Sequence, residues 1–383
     1  MRQQILLCSL ALAFSLAAHA GLDEGLRAYR ANDYATALTE LRPLAEAGNP
    51  QAENTLGLMY MDGEGVPQDA NKAAAWLHKA ADQGLASAQS NLGIMYAIGQ
   101  GVPQSYTQAL AWFKLSAAQG SGEANLANMY FFGWGTKQDY PQAAIWYRKA
   151  AEHGDLDAQT NLGSMYMDGL GVTQDYSEAA VWLRKAADAG AAEAQYNLGL
   201  LHAEGMGMAR DEAAGLELFR KSAAQGYARA EYRVGLMLAD GRGTPRDPTG
   251  ALGWWQKAAA QNNGDAEFKL GVAYYLGQGT TLDYAQALNW FRQSAVQGNS
   301  GALNNLGEMY EEGKGVATDL VLAHVCYSLA HSGGNPTAAT NQARLVSKLT
   351  PAEWSEARAL AERWHVGQPL PAHSKTGLMI PGN

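Results

Sequence analysis

The sequence has little of what most metal-binding, disulfide-linked or nucleic-acid-binding proteins need. It has two cysteines; Cys8 lies in an apolar N-terminal stretch, which leaves Cys326 without a partner for an internal disulfide. Its eight histidines are scattered, and none has the spacing of a metal-ligand pair. The net charge of −9, with no basic block, argues against nucleic acid as a partner, because phosphate binding needs a basic surface. We therefore expect no cofactor, no metal and no nucleic acid.

The common catalytic motifs are also missing from the sequence. It has no Gly-x-x-x-x-Gly-Lys-Ser/Thr, no His-Glu-x-x-His, no Gly-x-Ser-x-Gly and no Cys-x-x-Cys. A Gly-x-Gly pair occurs many times, but no third glycine follows it at dinucleotide-loop spacing. The Asp-Gly pairs lack the alternating oxygen ligands of a calcium loop. The sequence therefore predicts no catalytic residues, and we expect that the protein is not an enzyme.

Long apolar runs are absent except at the N-terminus. In residues 1–20, Arg2 is the only charged residue, and the apolar core runs from Ile5 to Ala18. Ala18-His19-Ala20 forms an A-x-A cleavage site, so residues 1–20 are predicted to be a secretory signal peptide. The alternative, a membrane anchor, needs a longer apolar run. We expect a periplasmic or secreted protein with no stable membrane insertion after cleavage.

One stretch recurs through most of the chain, and its clearest copy starts at Ala158 and ends at Gly190. Apolar and small residues at helical spacing predict a first helix, which Gly169 ends by taking a left-handed cap. Asp175 is the predicted N-cap of a second helix, with Glu178 three residues later as in a capping box. Each copy therefore reads as a helix pair, helix A then helix B. Neither helix can bury its apolar face alone.

The spacing of the loop glycines shows eight copies of this pair. The first loop glycine recurs in steps of 36 residues, with one step of 34, at Gly63, Gly99, Gly133, Gly169, Gly205, Gly241, Gly277 and Gly313. A large residue of helix B recurs at a position that we predict to be in the core: Trp76, Trp112, Trp146, Trp182, Trp254 and Trp290, with Leu218 and Cys326 standing in. A fixed period of this length predicts a solenoid of stacked helix pairs.

The repeated pattern A-x-x-x-L-G-x-M-Y-x-x-G-x-G-V-x-Q-D-Y-x-x-A-x-x-W-x-x-K-A-A resembles the Sel1-like repeat family, a relative of the tetratricopeptide repeats, over residues 52–334. The resemblance implies an all-α fold, a right-handed superhelical solenoid of antiparallel helix pairs. It also implies a role in holding other proteins together. The predicted organisation is a signal peptide (1–20), an N-terminal capping helix pair (21–50), eight repeats (51–334), a C-terminal capping pair (335–365) and a disordered tail (366–383). Thr350 and Glu353 are the predicted capping box of the second helix in the C-terminal pair.

Candidate partner-binding residues occupy one position of helix A, just before its Leu-Gly. In the related tetratricopeptide fold this position faces the concave groove, where amides and cations grip a peptide backbone or its carboxylate. Alternatively, each asparagine bonds within its own repeat. The polar residues at this position are Asn91, Asn125, Asn161, Asn197, Arg233, Lys269 and Asn305, with Thr55 in the first copy.

The third copy differs from the others in length and in aromatic content. Two residues are missing between Gly120 and Leu126, which predicts a shortened start of helix A. Trp134 lies between the two loop glycines, where other copies have polar or aliphatic residues. It is a candidate partner-binding residue, because exposed tryptophan is enriched at binding hot spots. Alternatively, it folds back on the neighbouring loop.

The function that the resemblance implies is an exported scaffold or adaptor that binds a protein partner through its concave surface. A second hypothesis is an immunity protein that neutralises a secreted, type VI-type phospholipase toxin in the periplasm. A third, from a different class, is a peptidoglycan-active enzyme or binding module, which would need a carboxylate or nucleophile cluster that the sequence does not display. The expected partner is thus an envelope protein or a toxin.

Overall fold

The computed structural model describes residues 20–371, 373 and 374. The predicted signal peptide lies outside these residues except for Ala20. The described chain is helical and contains no strand, and none of its helices is long and apolar enough to cross a bilayer. It divides into two compact units, Met1–Ala186 and Ala187–Asn383.

Helices α1 to α10 belong to the first unit, although α10 ends just past the division. They are α1 (20–30), α2 (Tyr34–Glu46), α3 (Pro50–Asp62), α4 (Ala70–Asp82), α5 (Ala86–Ile98), α6 (Tyr106–Ala117), α7 (Glu123–Phe132), α8 (Tyr140–Glu152), α9 (Leu156–Asp168) and α10 (Tyr176–Asp188). Here α3, α5, α7 and α9 are the A helices of copies 1–4, and each is followed by its B helix.

Helices α11 to α20 form the second unit. They are α11 (Ala192–Glu204), α12 (Glu212–Ala224), α13 (Ala228–Asp240), α14 (Pro248–Ala260), α15 (Gly264–Leu276), α16 (Tyr284–Val296), α17 (Ser300–Glu312), α18 (Leu320–Ser332), α19 (Ala338–Val346) and α20 (Pro351–Arg363). Copies 5–8 are the pairs from α11/α12 to α17/α18. Each helix from α2 to α8 packs on the next along the chain, and so does each helix from α11 to α18, which confirms the predicted all-α stack of helix pairs.

The helix boundaries follow the sequence signals. Gly169 has φ +70° and donates its N–H to the Met165 carbonyl, so it ends α9 as predicted. The Asp175 carboxylate accepts the Glu178 N–H at 3.0 Å and begins α10. The same N-cap bond begins α18, where Asp319 accepts the Leu322 N–H.

The core position of helix B is one residue later than predicted. Of the six recurrent tryptophans, Trp182 is buried but the other five are only half-buried. A buried side chain follows each of these positions, namely Leu77, Phe113, Tyr147, Leu183, Phe219, Trp255, Phe291 and Tyr327. A lysine one turn later covers several of the tryptophans, as Lys79 does at 3.9 Å from the Trp76 ring. A B helix has neighbours on two sides, so adjacent residues both turn inward and periodicity alone does not say which is deeper.

Glycines set how closely the helices approach within a pair and between pairs. A Cβ on Gly163 of α9 would lie 2.6 Å from Leu183 Cγ of α10, so the two helices of the pair need glycine there. The second loop glycine acts between pairs. Gly243 has φ +67°, and its Cβ would lie 2.5 Å from the Glu212 carbonyl oxygen of the preceding B helix. The sequence indicated only a turn at the second loop glycine. The structure shows that this glycine also lies against the backbone of the preceding copy.

Both helices of the predicted C-terminal pair pack on α18. Thr350 and Glu353 form the predicted capping box at the start of α20. On the other side, Glu311 of α17 accepts bonds from Arg344 Nη2 at 2.8 Å and Lys348 Nζ at 2.7 Å, which hold α19 in place.

Part of the predicted disordered tail falls within the described residues and makes contacts. The Gly367 N–H donates to the Val296 carbonyl at 2.7 Å, and Leu370 packs beside α18 and α20. The Ser374 N–H donates to Asp319 Oδ2 at 2.8 Å. Residue 372 and residues 375–383 lie outside the described residues, so the disorder of the tail as a whole stays a prediction.

Candidate functional site

The predicted groove residues lie on the A helices, next to a buried leucine or valine. In the first unit these are Asn91 on α5, Asn125 on α7 and Asn161 on α9, all half-buried. Thr55 of α3 is buried and donates to the Gln51 carbonyl, so it is part of its own helix. The three asparagines therefore keep an accessible part of the side chain, as a binding residue must.

Two of these asparagines link consecutive copies. Asn91 Nδ2 donates to Asn54 Oδ1 of α3 at 3.1 Å, and Asn125 Nδ2 donates to Ser90 Oγ of α5 at 3.4 Å. The alternative, that each asparagine bonds within its own repeat, is wrong for these two, because the bonds run between neighbouring A helices. These side-chain hydrogen bonds align neighbouring A helices. The remaining donor and acceptor atoms of the asparagines stay available on the same side of those helices.

A polar cavity of about 580 Å³ opens in copy 3, where the sequence has its two-residue deletion. Helix α7 has 10 residues, against 13 in α5 and α9, and its N-cap is Gly122, with φ +68°. The predicted shortened start is thus confirmed. We call this cavity the copy-3 notch; residues of its wall include Ser90, Glu123, Asn125, Asn128, Tyr147, His153, Asp155, Asp157 and Asn161.

Amides form the wall of the notch, and ionisable groups lie around them. The structure brings Asn125 and Asn161 to the same cavity, with Asn128 between them in the chain. The Tyr147 hydroxyl donates to Asn128 Oδ1, and burial raises the pKa of Tyr147, so this hydroxyl stays protonated. Neutral donors and acceptors of this kind match the N–H and C=O groups of an extended peptide.

The rim of the notch carries more negative than positive groups. Asp155 and Asp157 are exposed at the start of α9, where Asp155 Oδ1 also accepts the Ala158 N–H at 2.8 Å. Glu123 is 6% exposed, and its Oε2 lies 2.8 Å from His153 Nδ1. The rim therefore favours a cationic side chain on whatever enters the notch.

In the second unit the predicted residues lie on four successive A helices. Asn197, Arg233, Lys269 and Asn305 are half-buried on α11, α13, α15 and α17. Within the described residues Arg233 and Lys269 form no ion pair. Lys269 borders a small cavity of about 100 Å³ with Asp240 and Arg246. Whether these residues bind a partner stays a prediction.

Trp134 folds back on the preceding copy and also stays partly exposed. Its ring lies between Phe132, at 4.6 Å, and Tyr106 at the start of α6, at 5.5 Å between ring centroids. Trp134 is 40% exposed and Phe132 51%. At the same loop position Glu64 accepts from the Tyr34 hydroxyl at 2.6 Å. The stack of Trp134 on Tyr106 is thus an apolar form of a contact between copies, and a binding role for the exposed part of Trp134 stays a prediction.

Sequence reasoning missed Ser90, Asn128, Tyr147, Glu123 and His153. The deletion in copy 3 was visible, but it does not say which side chains border the resulting gap. His153 did offer a signal, because five of the other seven copies have glutamine at this position. All five glutamines bond to the fourth residue of their helix A, for example Gln83 to Glu53 at 2.7 Å. Among the described residues no group of histidine, cysteine or acidic side chains has the arrangement of a metal site.

Comparisons with known proteins agree with this architecture. The Sel1 repeat model matches eight segments, at residues 50–85, 86–121, 121–155, 156–190, 192–227, 228–263, 264–299 and 300–335. No curated protein sequence matches the chain.

Solved structures extend the likeness. A protective antigen of uropathogenic Escherichia coli, c5321, is 32% identical over 90% of this chain and 91% of its own, with TM-score 0.60. A Sel1 repeat protein of Oxalobacter formigenes is 32% identical over 62% of this chain and 96% of its own, with TM-score 0.57. The Pseudomonas aeruginosa immunity protein Pa5087 is 21% identical over 57% of this chain and 83% of its own, with TM-score 0.38. This chain belongs to the Sel1 repeat family.

Proposed function

We propose that this protein is exported to the periplasm and binds a protein partner, with the copy-3 notch as its principal contact. The Sel1 repeat fold is typically a non-catalytic scaffold for protein interactions. The observation that carries the proposal is the notch itself, a polar cavity of about 580 Å³ that two of the predicted groove asparagines share.

The chemistry of the notch favours an extended segment with a basic side chain. Asn125, Asn128 and Asn161 supply amide donors and acceptors that pair with a peptide backbone whatever its sequence. Asp155 and Asp157 on the rim then select for lysine or arginine. Rim charges of this kind act on the affinity through the association rate, so their contribution should fall as the salt concentration rises.

A charge-reversal pair tests this site. Mature protein (residues 21–383) is used to capture partners from an envelope extract, and the affinity of each captured partner is then measured with purified protein. Asp157→Lys should weaken binding about tenfold, whereas Asp82→Lys, an exposed end of α4 away from the notch, should not. Equal affinity for both variants would remove the notch from the proposal.

The identity of the captured protein decides between the two kinds of partner. An envelope protein supports the scaffold function, whereas a phospholipase toxin whose activity the protein abolishes would identify an immunity protein. Hydrolysis of peptidoglycan by the purified protein would contradict a binding function altogether.

Export is tested separately on the full-length chain. We expect the mature protein in the periplasmic fraction, with an N-terminus at Gly21 by mass spectrometry, because Ala18-His19-Ala20 reads as the cleavage site. An uncleaved chain in the cytosol would overturn this part of the proposal without touching the notch.

A further inference from the structure

A second cavity, of about 470 Å³, lies where α19 and α20 meet α18. Its wall combines three kinds of side chain. The polar ones are His324, Ser328 and Ser332 of α18, and the charged ones are Arg358 and Glu362 of α20. The apolar ones are Leu329, Val346 and Trp354. The volume is in the range of small-molecule sites, which are apolar clefts with a few placed polar groups. No groove asparagine borders this cavity, so it is independent of the copy-3 notch.

One polar group in this wall has no partner. His324 is 4% exposed, and within the described residues its Nδ1 makes no hydrogen bond. Burial lowers the pKa of His324, so the ring is neutral at neutral pH. Its Nε2 lies 3.5 Å from Gln342 Nε2; with the amide donating there, Nδ1 carries the proton and lacks an acceptor. A buried donor without a partner is destabilising, and an occupant with an acceptor atom would satisfy it.

The apolar wall and the rim restrict the chemistry of that occupant further. Trp354 and Val346 are 40% and 42% exposed, which is high for apolar side chains that border a cavity. On the rim, Arg358 Nε lies 2.9 Å from Glu362 Oε1, and both side chains are open to solvent. A positive and a negative group side by side suit a ligand that carries both charges.

We propose that this cavity, which we call the α18–α20 cavity, binds a small apolar zwitterion: an apolar amino acid or the dipeptide of two such residues. Its carboxylate lies toward Arg358 and the His324 ring, its ammonium group toward Glu362, and its apolar side chain against Trp354, Val346 and Leu329. Each kind of wall group then meets a matching part of the ligand.

The test is isothermal titration calorimetry of the mature protein with L-leucine, with L-leucyl-L-leucine and with N-acetyl-leucine methylamide. We expect saturable binding of one or both zwitterions and at least tenfold weaker binding of the capped compound, because it lacks both charges. Binding by leucine assigns the cavity to free amino acids, and binding by the dipeptide alone assigns it to peptides. Absence of saturable binding by either zwitterion overturns the proposal.

Three variants locate the binding. Arg358→Gln should weaken it about tenfold, whereas Arg363→Gln, the same change on the same helix outside the cavity wall, should not. His324→Phe should also weaken it while the melting temperature stays the same or rises, since the unpaired donor is gone; a purely structural histidine would give the opposite stability result. Unchanged affinity in both Arg358→Gln and His324→Phe would place the ligand elsewhere.

Discussion

Copies 3 and 8 both have a buried tyrosine at the core position of helix B, but its hydroxyl bonds in different surroundings. In each, the core position of helix B is a tyrosine whose hydroxyl donates to a polar side chain of its own helix A: Tyr147 to Asn128, and Tyr327 to Glu311 at 2.9 Å. In copy 8, Arg344 of α19 and Lys348, just past the end of α19, complete the bonds of Glu311. In copy 3, Asn128 borders the notch instead.

The difference shows that the same hydrogen bond from a core tyrosine can either stabilise the stack or border a candidate binding site. A carboxylate that is bonded to two cations from α19 and the residues just after it is satisfied within the protein, so it stabilises the end of the stack. An amide on an open cavity keeps part of its bonding capacity for solvent or a ligand. The comparison predicts that perturbing copy 8 affects stability, and that perturbing copy 3 affects binding more.

The largest effect that both copies share should come from the tyrosine ring. Tyr147→Ala and Tyr327→Ala should each lower the free energy of unfolding by about 4 kcal/mol, because truncating a buried aromatic leaves a cavity. Trp146→Ala, at the half-buried neighbour of Tyr147, should be clearly less severe. Urea denaturation followed by circular dichroism measures all three. If Trp146→Ala lowered the free energy of unfolding more than Tyr147→Ala, the tryptophan would be the core position, as the sequence predicted.

The next effect should separate the copies. Glu311→Leu should lower the free energy of unfolding by about 3 kcal/mol, because it leaves the Tyr327 hydroxyl without an acceptor and two cations without their partner. Asn128→Leu removes one hydrogen bond beside an open cavity and should lower it by about 1 kcal/mol. An equal decrease in the free energy of unfolding for both variants would mean that Arg344 and Lys348 add no stability through Glu311.

Acidification should act on copy 8 through Glu311. Burial raises its pKa, but the bonds from Lys348, Tyr327 and Arg344 outweigh burial, and the net pKa lies below the ordinary value. A depressed folded-state pKa gives stability that is present above the unfolded-state pKa and is lost as pH falls through the folded-state value. The stability gap between wild type and Glu311→Gln should therefore narrow below about pH 4. Urea titrations from pH 7 to pH 3 check this, and a gap that is constant over that range would contradict it.

The smallest effect is expected from the hydroxyls alone. Tyr327→Phe should lower the free energy of unfolding by about 1 kcal/mol, and Tyr147→Phe by about half as much, because Asn128 can bond to water in the notch. The two variants remove the same atom, but the acceptor is a carboxylate in copy 8 and an amide beside an open cavity in copy 3. Thermal melts of both, with wild type alongside, measure the difference; the reverse order would show that the notch excludes water.

Much of the fold followed from local signals. Gly169 as a left-handed cap, Asp175 as an N-cap and Thr350 with Glu353 as a capping box are all present where the sequence placed them. The buried state of Cys326 was also predicted and is confirmed, and burial raises the pKa of its thiol, which disfavours the thiolate form. Such features depend on residues a few positions apart.

The candidate site was predicted less well, because it depends on neighbours one copy away. The sequence showed that Asn91 and Asn125 occupy one repeated position of helix A, but it did not show their bonds to Asn54 and Ser90. Likewise, helical periodicity could not rank Trp146 against Tyr147, since both face inward and only the next pair decides which is covered.

The sequence by itself determined the period, the helix pairs, their caps and the deletion in copy 3, because backbone conformation and apolar spacing are local properties. Only the tertiary structure decided what the deletion opens and what α19 and α20 enclose. A cavity is bounded by side chains from helices that are separated in the sequence. Its shape and its unpaired groups therefore exist only once those helices have packed.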